Sequence, residues 1–440
     1  MNAPAQRPRP RVLVISADRL GAEMAGPAIR SYEIARTLRP VADVTLAGLP
    51  GEGEPPGMDA TVRYELRDPR ALRAPIAAAD AVIAQPPWPH IARMLRASGA
   101  RLIFDAYDPE PLEVLEFLAD RPPPLRRFVQ TLTIDRVLDA FHMGHHIACA
   151  SDKQRDLWLG AMVASGLVPP SSYDRDPSFL STIDLVPFGV PAEPPRSAGL
   201  GPRDRFPAIG PNDEIVLWNG GLWSWLDAPT AIRAIHLLAE RRPGVRLVFM
   251  GAGSQGPARR ATDEARRLAG ELGALDRSVF FNDRWVPYDQ RGDWLLEANC
   301  ALSTHVEHLE TRFAFRTRIL DCFWAGVPVV CTAGDELARL VGDDDLGATV
   351  PQSRPEAVAD AVERVLERGR EAYAPALAEA AARHRWELTT RPIARWVTAP
   401  GLPRRIGAGV ARPAARSGRA IGFTAALRAM AATGMKWPSL

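Results

Sequence analysis

The stretch Glu310–Val330, ETRFAFRTRILDCFWAGVPVV, decides how the rest of the chain is read. Its end is plain. Val327-Pro328-Val329-Val330-Cys331 is a β-branched run after a glycine, which suits a buried parallel strand. Ile319, Leu320, Phe323 and Trp324 recur at i, i+1, i+4 and i+5, an apolar face fit for a helix lying on a sheet. Gly326 stands where a helix C-cap belongs. A helix feeding a buried parallel strand is half of a βαβ unit, so the segment points to α/β construction. The front end is odder, because Arg312, Arg316 and Arg318 crowd the helix entrance against the macrodipole. Cations gathered at the end they disfavour imply that an anion is brought in.

Outward from this stretch, the same alternation covers the chain. Strand candidates in the first half are 11–16, 44–48, 81–85, 101–106, 146–151 and 184–189. Residues 191–212, rich in Pro and Gly and without apolar periodicity, read as a linker. After it the pattern restarts, with strands at 214–220, 246–251, 279–283, 300–305, 328–333 and 347–350. Helices are expected between them at about 228–241, 257–273, 289–298, 316–325, 335–341 and 355–368. The expected fold is α/β, with two Rossmann-like domains (1–190 and 213–385) facing a cleft, then a return helix and basic tail over 386–440. Ligands of such sheets bind outside the carboxyl ends of the strands, which places the expected site in the cleft.

Composition narrows the class. The 440 residues are 46% hydrophobic and 24% charged, as in an ordinary globular protein. No 18-residue apolar run suggests a membrane span, and the N-terminus lacks a signal-peptide core, so a cytoplasmic location is expected. Cys149, Cys300, Cys322 and Cys331 lack metal-ligand spacing and read as buried free thiols. The net charge of +2 hides a tail, residues 401–440, that carries +7 and leaves the first 400 residues at −5. With its apolar residues, that tail suits peripheral contact with an anionic membrane or a solvated end. No aromatic-basic module accompanies it, so nucleic acid is not an expected partner. Lysine occurs only at Lys153 and Lys436, so an anion site in the body must use arginine, backbone amides or Lys153.

The strand ends supply the candidates. Gly21, Gly26 and Pro27 follow the first strand, where a helix N-terminus favours an anion, without the GxGxxG spacing of a dinucleotide site. Gly220-Gly221 permits a turn whose amides cradle a phosphate. Asp227 reads as an N-cap, while Trp223 and Trp225 read as closing a domain interface. Gly251 and Gly253 end another strand, and Trp285 with Pro287 shapes a wall for a nucleobase. Asp105, Asp108 and Glu110 end a first-half strand, where a carboxylate orients hydroxyls or moves a proton; N-capping by Asp108 is the equal alternative. Asp343, Asp344 and Asp345 read as a solvated loop, and His142, His145 and His146 as structural.

With two Rossmann-like halves, GPAIRSYEIARTL near the front, VPFGVP before the linker and WAGVPVV closing the opening stretch, residues 10–385 resemble GT-B glycosyltransferases of the group 1, family-4 type. The resemblance implies a retaining, hexosyltransferase-like enzyme that needs no metal or cofactor beyond its nucleotide-sugar donor. A UDP- or GDP-sugar is expected on the second domain. A glycan, lipid-linked or small-molecule acceptor is expected on the first, in cell-surface glycan assembly. The family's paired glutamates are altered here: Asp321 holds the second place, Phe313 the first, and Glu310 is the nearest acid. A Lys-Gly pair after the Gly-Gly loop is missing, as is the first-domain histidine. The reading therefore gives the diphosphate to Arg316 first and Arg318 second, helped by amides around Phe315, with Glu310 on the sugar ring and Asp321 on ribose hydroxyls. Asp108 is the first-domain acid, and Gly26, Gly220, Gly221, Gly251 and Trp285 line the bound substrate. The alternatives are a scaffold that has lost catalysis, or another sugar-nucleotide enzyme of the same fold.

Overall fold

Short β-branched runs, each too apolar to face water on either side, become the central strands of two parallel sheets. The computed structural model describes residues 8–411, apart from Asp59 and 253–258. The first sheet holds β1 (Arg11–Leu20), β2 (Asp43–Pro50), β3 (Thr61–Arg63), β4 (Ala81–Ala84), β5 (Arg101–Asp105), β6 (His146–Cys149) and β7 (Ile183–Leu185), in the order β3-β2-β1-β4-β5-β6-β7. The second holds β8 (Glu214–Gly221), β9 (Val245–Gly251), β10 (Val279–Phe281), β11 (Cys300–Ser303), β12 (Val329–Thr332) and β13 (Gly347–Val350), in the order β10-β9-β8-β11-β12-β13. Each order reverses direction once, between β1 and β4 and between β8 and β11. Those are the switch points at which doubly wound sheets bind ligands.

The chain divides into two compact units. One comprises the chain up to Pro111, Arg127–Pro187 and the chain from Trp386; the other comprises Leu112–Arg126 and Phe188–Arg385. Residues 191–212 thus fall inside the second unit. They contain a helical turn at Pro202–Arg205, and the Arg203 amide donates to the Glu297 carboxylate at 2.9 Å. Proline and glycine erased the periodicity there without preventing packing. After Trp386 the chain returns to the first unit, where Trp396 stacks on His146 at 4.7 Å and Arg395 pairs with Asp184 at 2.9 Å. The tail from 412 onward lies outside the described residues, as does Gly253.

Elements not expected include β3, the helical turn Pro202–Arg205, a five-residue helix, Leu309–Phe313, and the helix Ala374–Arg383. The helix expected from 316 starts at Arg318 and ends at Ala325, with Gly326 as a left-handed cap at φ 65°. The four cysteines are free and buried, and no helix among the described residues is long and apolar enough to cross a membrane.

Candidate functional site

At the switch point of the second sheet, β8 ends in Asn219-Gly220-Gly221. Asn219 Nδ2 donates to the Arg318 carbonyl at 2.7 Å, tying the start of helix Arg318–Ala325 to this strand end. Arg318 Nη2 in turn donates to the Gly221 carbonyl at 3.0 Å. The guanidinium lies 5.6 Å from the centre of the Trp218 ring, and its Nη1 is buried without a partner. Gly220, at φ 120°, is where the two meet, since a Cβ there would lie 3.3 Å from Arg318 Cζ. Burial and the neighbouring Arg316 push the Arg318 guanidinium down to about 9. The group stays protonated at neutral pH, so this is a partly desolvated cation with no ion pair to an acid among the described residues. Such a charge is stabilised when an anion arrives.

Arg316, expected to be the first of the two on the diphosphate, is paired with acids instead. Its Nη2 donates to Glu310 Oε2 at 2.7 Å, and its Nε lies 3.9 Å from Asp335. All three side chains are buried. Helix Leu309–Phe313 makes the pair possible: His308 Nδ1 caps it by accepting from the Thr311 amide at 3.3 Å, which leaves Glu310 in the first turn facing inward. Asp335 caps the helix Glu336–Asp343 through the Ala338 amide at 2.8 Å, and burial pushes its carboxyl up to about 6. His305 is pushed down to about 3 by burial, Arg316 and His308, so it is neutral. Arg316 is thus neutralised by acids of its own unit, and Glu310 is engaged by it.

Other expected residues also have partners. Asp321 accepts from Arg291 Nε at 3.1 Å, and that guanidinium lies between Tyr288 and Trp324, 3.8 and 4.5 Å from their ring centres. Gly251 pairs with Gly221 across β9 and β8, so close that a Cβ would sit 3.2 Å from the Gly220 carbonyl. Trp285 is exposed, whereas Phe315 is buried. Asp227 is the cap it was read to be, accepting from the Thr230 amide at 3.0 Å. Asp343 and Asp345 are exposed, as the solvated-loop reading expects, and each of the three acids also pairs with an arginine, Arg339, Arg383 and Arg368 respectively. Among the described residues no group of three or more His, Cys, Asp or Glu is placed to hold a metal.

In the first unit, Gly26 opens the helix Gly26–Leu38, 3.9 Å by its would-be Cβ from the Tyr107 hydroxyl. Asp105 is no free acid: it takes Arg30 bidentately at 2.6 and 2.8 Å, both side chains buried. Asp108 is raised well above the usual carboxylate range, first by burial and further by Glu110 and Asp105. The helix after it begins at Glu110, which burial also raises and which faces Arg136 at 3.6 Å. Sequence reasoning missed Asp18, pushed up to about 6 by burial, and the trio Asn219, His305 and Asp335. Their shared signal was position, since each lies in or just beyond the last residues of a strand.

Residues 213–368 match the family model described as glycosyl transferases group 1. No curated protein sequence matches the chain. Solved structures do. HepE from Anabaena, in complex with UDP-glucose, aligns with TM-score 0.64 at 13% identity, covering 89% of this chain and 100% of that one. WaaG, a glycosyltransferase involved in lipopolysaccharide biosynthesis, aligns with TM-score 0.59 at 17% identity, covering 88% and 100%. A glycosyltransferase from Rickettsia africae aligns with TM-score 0.59 at 13% identity, covering 90% and 100%. At these identities the likeness is one of fold: two parallel-sheet domains of the GT-B kind.

Proposed function

We propose that this chain, a GT-B protein whose residues 213–368 are of the group 1 glycosyl transferase type, moves a sugar from a nucleoside-diphosphate donor to an acceptor, with Arg318 gripping the diphosphate. One observation carries the reading: a half-buried guanidinium at the switch point, set against Gly220-Gly221, with its Nη1 enclosed and no ion pair to a carboxylate among the described residues. As the glycosidic bond breaks, negative charge grows on the leaving diphosphate, and a fixed, desolvated cation stabilises it more than the ground state. Arginine binds phosphate oxygens in a way that lysine, absent from this unit, does not. Arg316, held by Glu310 and Asp335, acts as a positioning residue for the loop that presents Arg318. Asp321 keeps a role toward ribose hydroxyls, and Gly220, Gly221 and Gly251 let the donor approach backbone. The UDP-glucose bound by HepE supports a UDP-sugar as the donor.

The reading extends to a retaining, metal-independent transfer, to an acceptor on the first unit near Gly26 and the partly neutralised Asp108, and to a cell-surface glycan as product. The basic residues of 401–440 would bring the enzyme to an anionic membrane. The deciding experiment is a panel of sugar nucleotides read by nucleoside-diphosphate release, together with thermal stabilisation by UDP and GDP. Turnover that survives EDTA and yields a product of the donor's anomeric configuration is expected. Arg318→Ala is expected to lose about a hundredfold in rate, from ~3 kcal/mol of transition-state stabilisation. Absence of release from every donor, with indifference to UDP and GDP, would sink the proposal.

A further inference from the structure

The loop Leu222–Asp227 contains two tryptophans, Trp223 and Trp225, to which the proposed transfer gives no role. It runs from the end of β8 to the end of β11: Leu226 bridges to His305, and the Asp227 amide donates to the Thr304 carbonyl at 2.9 Å. Trp223 and Trp225 stack within it, ring centres 5.5 Å apart and planes 4° from parallel. Phe117 meets Trp225 at 6.4 Å with its plane tilted 45°, so among the described residues Trp225 is the middle ring and Trp223 the terminal one. Both indoles are only half buried, in a loop whose flanking residues Leu222 and Leu226 are buried. Trp223 also packs on the phosphate loop itself, its Nε1 3.2 Å from where a Cβ of Gly221 would be. That glycine's carbonyl is the one that holds Arg318.

Strand order gives the platform a direction. Along the carboxyl ends run Trp285 beyond β10, Gly251 at β9, Gly220-Gly221 with Arg318 at β8, and then the tryptophan loop reaching β11. Three strand spacings from β10 to β11 make about 14 Å, enough for an extended nucleotide sugar. A donor is linear: base, ribose, diphosphate, sugar. With the diphosphate at Arg318 and the base on the β9–β10 side, the sugar falls on the β11 side, beside Trp223. An indole offers the apolar C–H face of a pyranose a flat, polarisable surface, and its N–H a donor for a hydroxyl.

We propose that Trp223, backed by Trp225 and Phe117, is the stacking platform for the pyranose ring of the donor and thereby a determinant of which sugar is transferred. This rests on the transferase reading. The test is calorimetric and kinetic, on the full chain, with UDP and UDP-glucose as probes. Trp223→Ala is expected to leave UDP affinity unchanged, to weaken UDP-glucose and raise its KM about tenfold, and Trp223→Phe to restore most of the loss. Equal weakening of UDP and UDP-glucose, or no change in either, would overturn the platform. Should Trp223→Ala fail to fold, Trp223→Leu against Trp223→Phe decides: loss with leucine alone supports stacking, and like behaviour refutes it. Wild-type protein indifferent to UDP would overturn the donor reading and this inference together, whereas failure confined to the Trp223 variants removes only the platform.

Discussion

Arg316 and Arg318 are two residues apart and differ in what neutralises them. Reading the chain exposes both cations but not their partners, because Glu310 turns inward only once a short helix forms and Asp335 arrives from beyond the next strand. The consequence is measurable. Removing one member of a buried pair leaves the other charged and desolvated, at a cost of about 3–5 kcal/mol. Arg316→Ala is therefore expected to lower stability by that amount in urea denaturation, while Arg318→Ala costs little in the absence of donor. Equal, small effects from both would place Arg316 outside the pair. Asp335 adds a pH signature. Its folded value, about 6, lies above the 3.8 of the free group, so the folded state prefers the protonated form. The stability it contributes is full below 3.8 and lost as pH rises through about 6, by up to about 3 kcal/mol. Asp335→Asn, which keeps an oxygen for the Ala338 amide, should remove that fall; identical pH–stability curves for mutant and parent would contradict it.

Elements were legible where periodicity was strong and silent where it was not. Among the described residues, twelve of the thirteen strands stand within a few residues of their reading, because parallel central strands are near-continuous apolar runs. The exception is β3, three half-buried residues, Thr-Val-Arg, on the sheet edge, too short to carry a period. Helix Leu309–Phe313 escaped for the same reason, its single turn being held by a histidine cap. Candidate glycines were visible as residues, and the structure adds what each is for. At Gly220 the backbone is in a region that L side chains rarely adopt, and the space for a Cβ is taken by Arg318. Gly220→Ala is accordingly expected to displace the guanidinium and to cut donor turnover by about as much as Arg318→Ala, roughly a hundredfold. A variant that folds, binds UDP and turns over normally would show that the close approach has no part in the site.

At the scale of the whole chain, the two units are not two halves of the sequence. Nothing in local pattern says that Leu112–Arg126 belongs with the second unit, or that the chain from Trp386 completes the first. Those memberships are decided by packing. The return segment is fastened by Trp396, buried and stacked on His146 with planes 13° apart, by Arg395 on Asp184, and by the Ile406 amide on the Gly144 carbonyl at 2.8 Å. A buried tryptophan cut to alanine typically costs about 3–5 kcal/mol. Trp396→Ala should therefore loosen the first unit, which limited proteolysis would report as new cleavage within 8–111 and 127–187. Arg318 and Gly220-Gly221 lie in the other unit, so stabilisation of 188–385 against protease by UDP should persist in the variant. Loss of that UDP protection would mean that the donor site depends on the first unit's packing, and cleavage unchanged from the parent would mean that the return segment carries no weight in it.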